Sequence, residues 1–203
     1  MGTGIMEKHL EDEEGLLAAA RKGDRAAFGV LVRAHQRRAY AAAYGIVGNR
    51  EDALELAQEA FARAFRAMGR FKPGMPFYPW LYQIVRNTCL NHLKRRRRRG
   101  EQSLEDLVES GFDARDPSPG PGEAAERNDL RESIAAAMSR LSPEHREILR
   151  LRHFMELSYS EIAACLRVPE GTVMSRLHAA RKSLRRVLEQ QDRSAANISA
   201  APV

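Results

Sequence analysis

Cysteine is scarce in this chain of 203 residues. Cys89 and Cys165 stand far apart, with no CxxC or Cys/His spacing around them. That argues against a disulfide scaffold or zinc site and for a reducing compartment. Long apolar runs are missing too, and none approaches the roughly 20 residues a membrane span needs. Glu7, Glu11, Asp12, Glu13 and Glu14 crowd the amino terminus, unlike a signal peptide. "MGTGIM" places Met6 where a myristoylation motif wants Ser or Thr. No membrane partner is expected, and the expected location is the cytoplasm. There is no Gly-rich phosphate loop, no HExxH, no nucleophile elbow and no evident carboxylate pair. The six histidines are scattered. An enzyme, a cofactor and a metal centre are therefore not expected.

What the chain does have is charge in blocks. Charged residues make up 30% and the net charge is +6, with a pI near 9.7, which favours a polyanion as partner. Lys94 to Arg99 are six consecutive basic residues. The segment after them holds nine acids against Arg115 and Arg127 and includes "DPSPGPGE", whose prolines and glycines cannot continue a helix. Residues 100–128 thus read as a flexible acidic linker between a block at 14–99 and one at 129–190, with 1–13 and 191–203 as disordered tails.

Both blocks read as helical, so the expected fold is all-α: two small helical domains on a tether. In the first, Gly23-Asp24 stops one helix and caps the next, and "GN" at 48–49 separates that from a third. Leu54, Ala57, Phe61, Phe65 and Met68 are read as this third helix's apolar stripe. "RFKPGMPFYP" follows as a loop, and a helix beginning near Trp80 runs into the basic block. In the second, Leu130, Ile134, Met138 and Leu141 form a stripe, and Ser142-Pro143 opens the next helix. Ser158 with Glu161 predicts a capping box for "YSEIAACL". A short turn then leads to "EGTVMSRLHAARKSLRR", whose Val173, Leu177, Ala180 and Leu184 face inward at 100° per residue. Short helix, tight turn and longer basic helix form a helix-turn-helix pattern.

The second block, "LSPEHREILRLRHFMELSYSEIAACLRVPEGTVMSRLHAARKSLR", resembles region 4 of the extracytoplasmic-function (ECF, group 4) sigma factors of bacterial RNA polymerase, in the sigma-70 family. The first, with "DALELAQEAFARAF" and "RFKPGMPFYPWLYQIVRNTCLNHLKRRRR", resembles their region 2. The resemblance implies an alternative sigma factor that brings core polymerase to promoters. Asp52, Leu54, Glu55, Gln58 and Glu59 would dock on a coiled coil of the largest polymerase subunit; an acidic face suits a protein partner, since DNA would repel it. Region 4 would meet the flap of the second-largest subunit. Phe71 and Lys72 would belong to a loop pocket for a flipped base of the −10 element, with Asn87 and Asn91 as base contacts. Gln83, Asn87, Asn91 and Lys94 share a helical stripe, Trp80 fits either core or contact, and Lys94, Arg95 and Arg96 would follow backbone phosphate. Pro73, Pro76 and Pro79 depart from the family's small polar loop residues.

At the −35 element, readout is expected from Thr172, Ser175, Arg176, His178 and Lys182, with Arg181 and Arg185 on phosphate. Met174 and Ala179 stand where the family usually carries a basic residue and an arginine. An anti-sigma factor is a further partner the family implies. A free-standing helix-turn-helix regulator would also need the second block, but not the acidic face, the aromatic loop or the linker.

Overall fold

In a computed structural model, residues 13–100, 130 and 132–199 are described. The acidic linker and the amino-terminal tail fall almost entirely outside them. Among the described residues there are eight α-helices and no strand. No described helix is long and apolar enough to cross a membrane. The chain divides into two compact units, the first built mainly on α1–α4 and the second mainly on α5–α8.

In the first unit, α1 (residues 13–21) precedes α2 (Arg25–Val47), α3 (Arg50–Ala67), a 3-10 turn (Met68–Arg70) and α4 (Phe77–Arg98). Each boundary has a local cause. Gly23 takes a left-handed φ of 95°, and the Asp24 carboxylate then accepts from the backbone N–H groups of Ala26 and Ala27 at 2.8 and 3.1 Å. Gly48 is again left-handed, and Asn49 caps α3 by accepting from Asp52 N–H at 2.9 Å. Glu13 of α1 pairs with His35 of α2 at 3.3 Å.

The core of this unit lies among α2, α3 and α4. Along α3 it is lined by Ala53, Leu56, Ala57, Ala60, Phe61 and Ala64. The sequence reading put Leu54 in this stripe, yet Leu54 is 53% exposed. Ala57, Phe61 and Met68 of that stripe are buried and Phe65 is half-buried, so only its first member lies off the inward face, where Ala53 and Leu56 stand instead.

α4 begins at Phe77, three residues before the expected start. Pro79 does not obstruct this, because the first N–H groups of a helix have no intrahelical acceptor. Cys89 is fully buried on α4, and burial above all pushes its thiol up to about 12, with a backbone hydrogen bond opposing and Glu59 adding to the rise. At pH 8 only about one thiol in ten thousand would be thiolate, the reactive form. Cys89 is thus expected to resist iodoacetamide in the native protein and to be alkylated once denatured, as read by peptide mass mapping. Rapid native labelling would contradict that burial.

The second unit holds α5 (residues 132–139), α6 (Pro143–His153), α7 (Tyr159–Leu166) and α8 (Glu170–Ser199). Ser142 caps α6, with Pro143 at its first position. Ser158 and Glu161 form the expected capping box on α7. Arg146 anchors the turn between α5 and α6: its guanidinium donates to the carbonyls of Met138, Ser139 and Leu141 at 3.0, 2.6 and 3.0 Å. Burial lowers its pKa, though an arginine keeps its charge at neutral pH. Leu130, placed in the α5 stripe by the sequence reading, is 61% exposed; the buried members of that stripe are Met138 and Leu141. Residues 191–199, expected as tail, continue α8, whose "EQQDRSAANIS" contains neither Gly nor Pro to stop it.

Candidate functional site

The exposed side of α3 is the first candidate surface. Glu55 and Gln58 are exposed beside Leu54, and Glu59 is half-buried on the same face. Spacings of three and four residues align these positions on a helix. Glu59 is not alone: Arg63 donates to its Oε1 through Nη2 at 2.6 Å and Nε at 3.1 Å. The sequence reading missed Arg63, although a Glu followed four residues later by Arg is a readable helical pair. A cationic partner would share Glu59 with Arg63, whereas the exposed Glu55 is the more accessible acid.

Asp52 was expected on this face, and Arg96 was expected on DNA. In the structure they meet each other. Arg96 Nη1 donates to Asp52 Oδ2 at 3.2 Å. His92 Nε2 lies 3.6 Å from the same oxygen, an electrostatic neighbour rather than a hydrogen bond. The carboxylate at the start of α3 attracts the cations that end α4, a modest gain for a partly shielded pair.

The loop before α4 departs furthest from expectation. Phe71, expected to line a base pocket, is 3% exposed. Its ring meets Trp80 edge-on at 5.1 Å and Phe77 at 6.0 Å. Phe77 lies 5.2 Å from the His35 ring on α2, and Arg38 stacks its guanidinium 3.8 Å over Tyr78. Water exclusion gathers the few aromatics of this chain into a core, and that leaves Phe71 no free face for a base. Trp80 remains half-buried within the same cluster. Lys72, Pro73, Gly74, Met75 and Pro76 are the exposed part of the loop.

Beyond this cluster α4 presents Asn87, Asn91, Lys94 and Arg95 to solvent, while Gln83 is half-buried. Val85, Thr88 and Cys89 turn inward, with Thr88 satisfied by donating to the Ile84 carbonyl at 2.8 Å. The amide and ammonium groups of Asn87, Asn91 and Lys94 are thus displayed together on one stripe, as their spacing suggested.

In the second unit, α7 ends with Arg167 in a left-handed conformation, φ 55°, and Val168–Pro169 lead directly into α8. Val173, Leu177, Ala180 and Val187 are buried, and Leu184, expected among them, is half-buried. Ser175, His178, Ala179, Arg181, Lys182 and Arg185 are exposed, and Thr172 and Arg176 are half-buried at the edge of that face. Ser175 donates its hydroxyl to the Thr172 carbonyl at 3.1 Å, which leaves lone pairs to face outward. None of Arg176, Arg181, Lys182 and Arg185 enters an ion pair among the described residues. The outer face is therefore an uncompensated cationic surface. His153 beside it is held below the usual imidazole range, chiefly by partial burial and then by Arg181 and Arg152, so it adds little charge at neutral pH. Met174, 59% exposed, does not cover the core.

Two family models match the chain: Sigma-70 region 2 over residues 31–99, and Sigma-70, region 4 over residues 137–186. The chain is 36% identical over 183 residues to the RNA polymerase sigma-H factor of Pseudomonas aeruginosa, covering 88% of this chain and 95% of that protein. It is 34% identical over 184 residues to the ECF RNA polymerase sigma-E factor of Escherichia coli K12, again covering 88% and 95%. Among solved structures, CnrH in complex with the cytosolic domain of CnrY is similar with a TM-score of 0.65 and 25% identity, over 88% of this chain and 98% of that one.

Proposed function

The chain belongs to the sigma-70 family, among its ECF sigma factors, and from that footing we propose how its surfaces divide the work. It is an alternative sigma factor that directs RNA polymerase to promoters, and its family consists of transcription initiation factors. The free-standing regulator is not favoured, since relatives match across both blocks. The sign of the exposed charge carries the division. On α3 it is acidic and flanked by Leu54, which suits a protein partner. On α4 and α8 it is basic or amide-bearing, which suits nucleic acid.

Leu54, Glu55, Gln58 and Glu59 accordingly meet the coiled coil of the largest polymerase subunit, and the second unit meets the flap of the second-largest. Asn87, Asn91 and Lys94, together with the exposed Lys72 of the preceding loop, take the opened −10 strand. Gln83 and Trp80 border that surface. Stacking and amide contacts are suited to bases outside a duplex. An inhibitor of the anti-sigma kind is a further partner for this fold. Run-off transcription with purified core polymerase, with and without the protein, over a library of promoters tests the whole reading; no promoter-dependent transcript would overturn it.

At the −35 element, Thr172, Ser175, Arg176, His178 and Lys182 are assigned to bases, and Arg181 and Arg185 to phosphate. Ala179 and the exposed Met174 cannot make the bidentate arginine–guanine contact, which contributes roughly 1–3 kcal/mol of discrimination. Met174 is free to pack on a thymine methyl, and DNA shape carries part of the specificity. Ala179→Arg in the holoenzyme is expected to tighten promoter binding and steepen its salt dependence. Arg176→Ala is expected to weaken promoter binding and leave core affinity unchanged. Normal transcription by Arg176→Ala across a −35 library would remove Arg176 from the readout.

A further inference from the structure

Neither the docking face nor the basic tract accounts for the contact that joins α3 to the end of α4. Asp52 stands in the first turn of α3, where its own N–H is held by Asn49. Its carboxylate receives Arg96 at 3.2 Å, and their side chains are only 24% and 28% exposed. His92, four residues before Arg96 on α4, lies on the same stripe. Lys94, Arg95, Arg97 and Arg98 are exposed instead. Beside the contact is an open cavity of about 500 Å³, with Asn49, Glu51 and Asp52 on one wall and His92, Arg95 and Arg99 on the other.

Five arginines in succession, Arg95–Arg99, close α4 before Gly100 takes a left-handed φ of 72°. Like charges on adjacent turns repel, and helix ends fray. A tie from another helix to one member fixes the rotation of the rest. We propose that Asp52 is a positioning residue for the basic tract: by holding Arg96, it sets the last turns of α4 so that Lys94, Arg95, Arg97 and Arg98 face DNA. Arg96 itself is thereby withheld from phosphate. The inference rests on the reading of α4 as a promoter-contacting helix.

Salt dependence separates the possibilities, because each phosphate contact contributes a slope of about 0.9 in log affinity against log salt. In holoenzyme, Asp52→Asn is expected to leave core affinity within about twofold. Open-complex yield should fall about three- to fivefold, the scale of a partly shielded ion pair. The slope should flatten, because a tract turned away from DNA loses phosphate contacts, each of which contributes about 0.9. Arg96→Gln should lower the yield and flatten the slope to the same extent, and the double variant should be no worse than either single one. The inference is overturned if Asp52→Asn weakens core binding as strongly as Glu55→Ala, which would make Asp52 a docking contact. It is equally overturned if Arg96→Gln flattens the slope while Asp52→Asn leaves it unchanged, which would make Arg96 itself a phosphate contact, or if the two losses multiply in the double variant. Replacing Arg97 and Arg98 by Gln probes the underlying reading: a slope that does not flatten would remove α4 from DNA, and the inference with it.

Discussion

Replacing Glu55, Gln58 and Glu59 together by Ala is expected to abolish co-purification with core polymerase while helicity by circular dichroism stays near wild type. The three positions share the exposed face of α3, opposite the buried stripe of Ala53, Leu56, Ala57, Ala60, Phe61 and Ala64. Nothing in the core loses an atom, and alanine is the best helix former, so folding has little reason to suffer. Docking does have a reason. Truncating a well-placed interface contact costs on the order of 1–2 kcal/mol, so three together approach 3 kcal/mol or more. That corresponds to a loss of about a hundredfold or greater in affinity. Removal of Glu59 also leaves Arg63 without its carboxylate, and so changes the sign of the face as well as its contacts. Normal core binding by the triple variant would show that the acidic face serves something else.

Phe71→Ala carries the other large effect, and it falls on stability rather than on base capture. Phe71 is buried against Phe77 and Trp80, and the cluster continues through Phe77 to His35 on α2. Emptying such a site removes apolar burial and leaves a cavity, at a cost of about 3–5 kcal/mol for Phe→Ala. A domain whose whole stability is roughly 5–15 kcal/mol would be left marginal. Urea or thermal unfolding of the first unit should therefore shift strongly, and core binding should fall along with open-complex formation. Asn87→Ala and Asn91→Ala, both at exposed positions, should stay within about 0.5 kcal/mol of wild-type stability. Those two variants should nonetheless reduce permanganate reactivity of the −10 strand, on duplex and pre-melted promoters alike. A stable Phe71→Ala protein that is defective only in strand capture would restore Phe71 to the base pocket.

The difference between Phe71 and the two asparagines shows how far the sequence could be read. Period and polarity placed Asn87 and Asn91 on an outward stripe, because alternate faces of one helix are fixed by 3.6 residues per turn. Phe71 sits in a loop, where no period applies, and an aromatic beside prolines reads equally as contact or as core. Leu54 shows the same limit within a helix. Its apolar character suggested burial, but the inward positions of the first turns of α3 are Ala53 and Leu56, and Leu54 is left outside the core.

What the sequence determined by itself is what depends on neighbours a few residues away. Asp24, Asn49, Ser142 and Ser158 each cap a helix by accepting from an N–H two or three positions on, so their roles follow from order along the chain. The amphipathic pattern of α8 likewise separated its buried Val173, Leu177 and Ala180 from its cationic outer face before any packing was known. Only tertiary structure could decide that Arg96 reaches Asp52, 44 residues away, or that Arg146 closes three carbonyls at the end of α5. A flexible, charged side chain has many partners within reach of its stem. Which one it takes is set by the helix that packing brings beside it and by the loss of competing water there, and neither is written in local order.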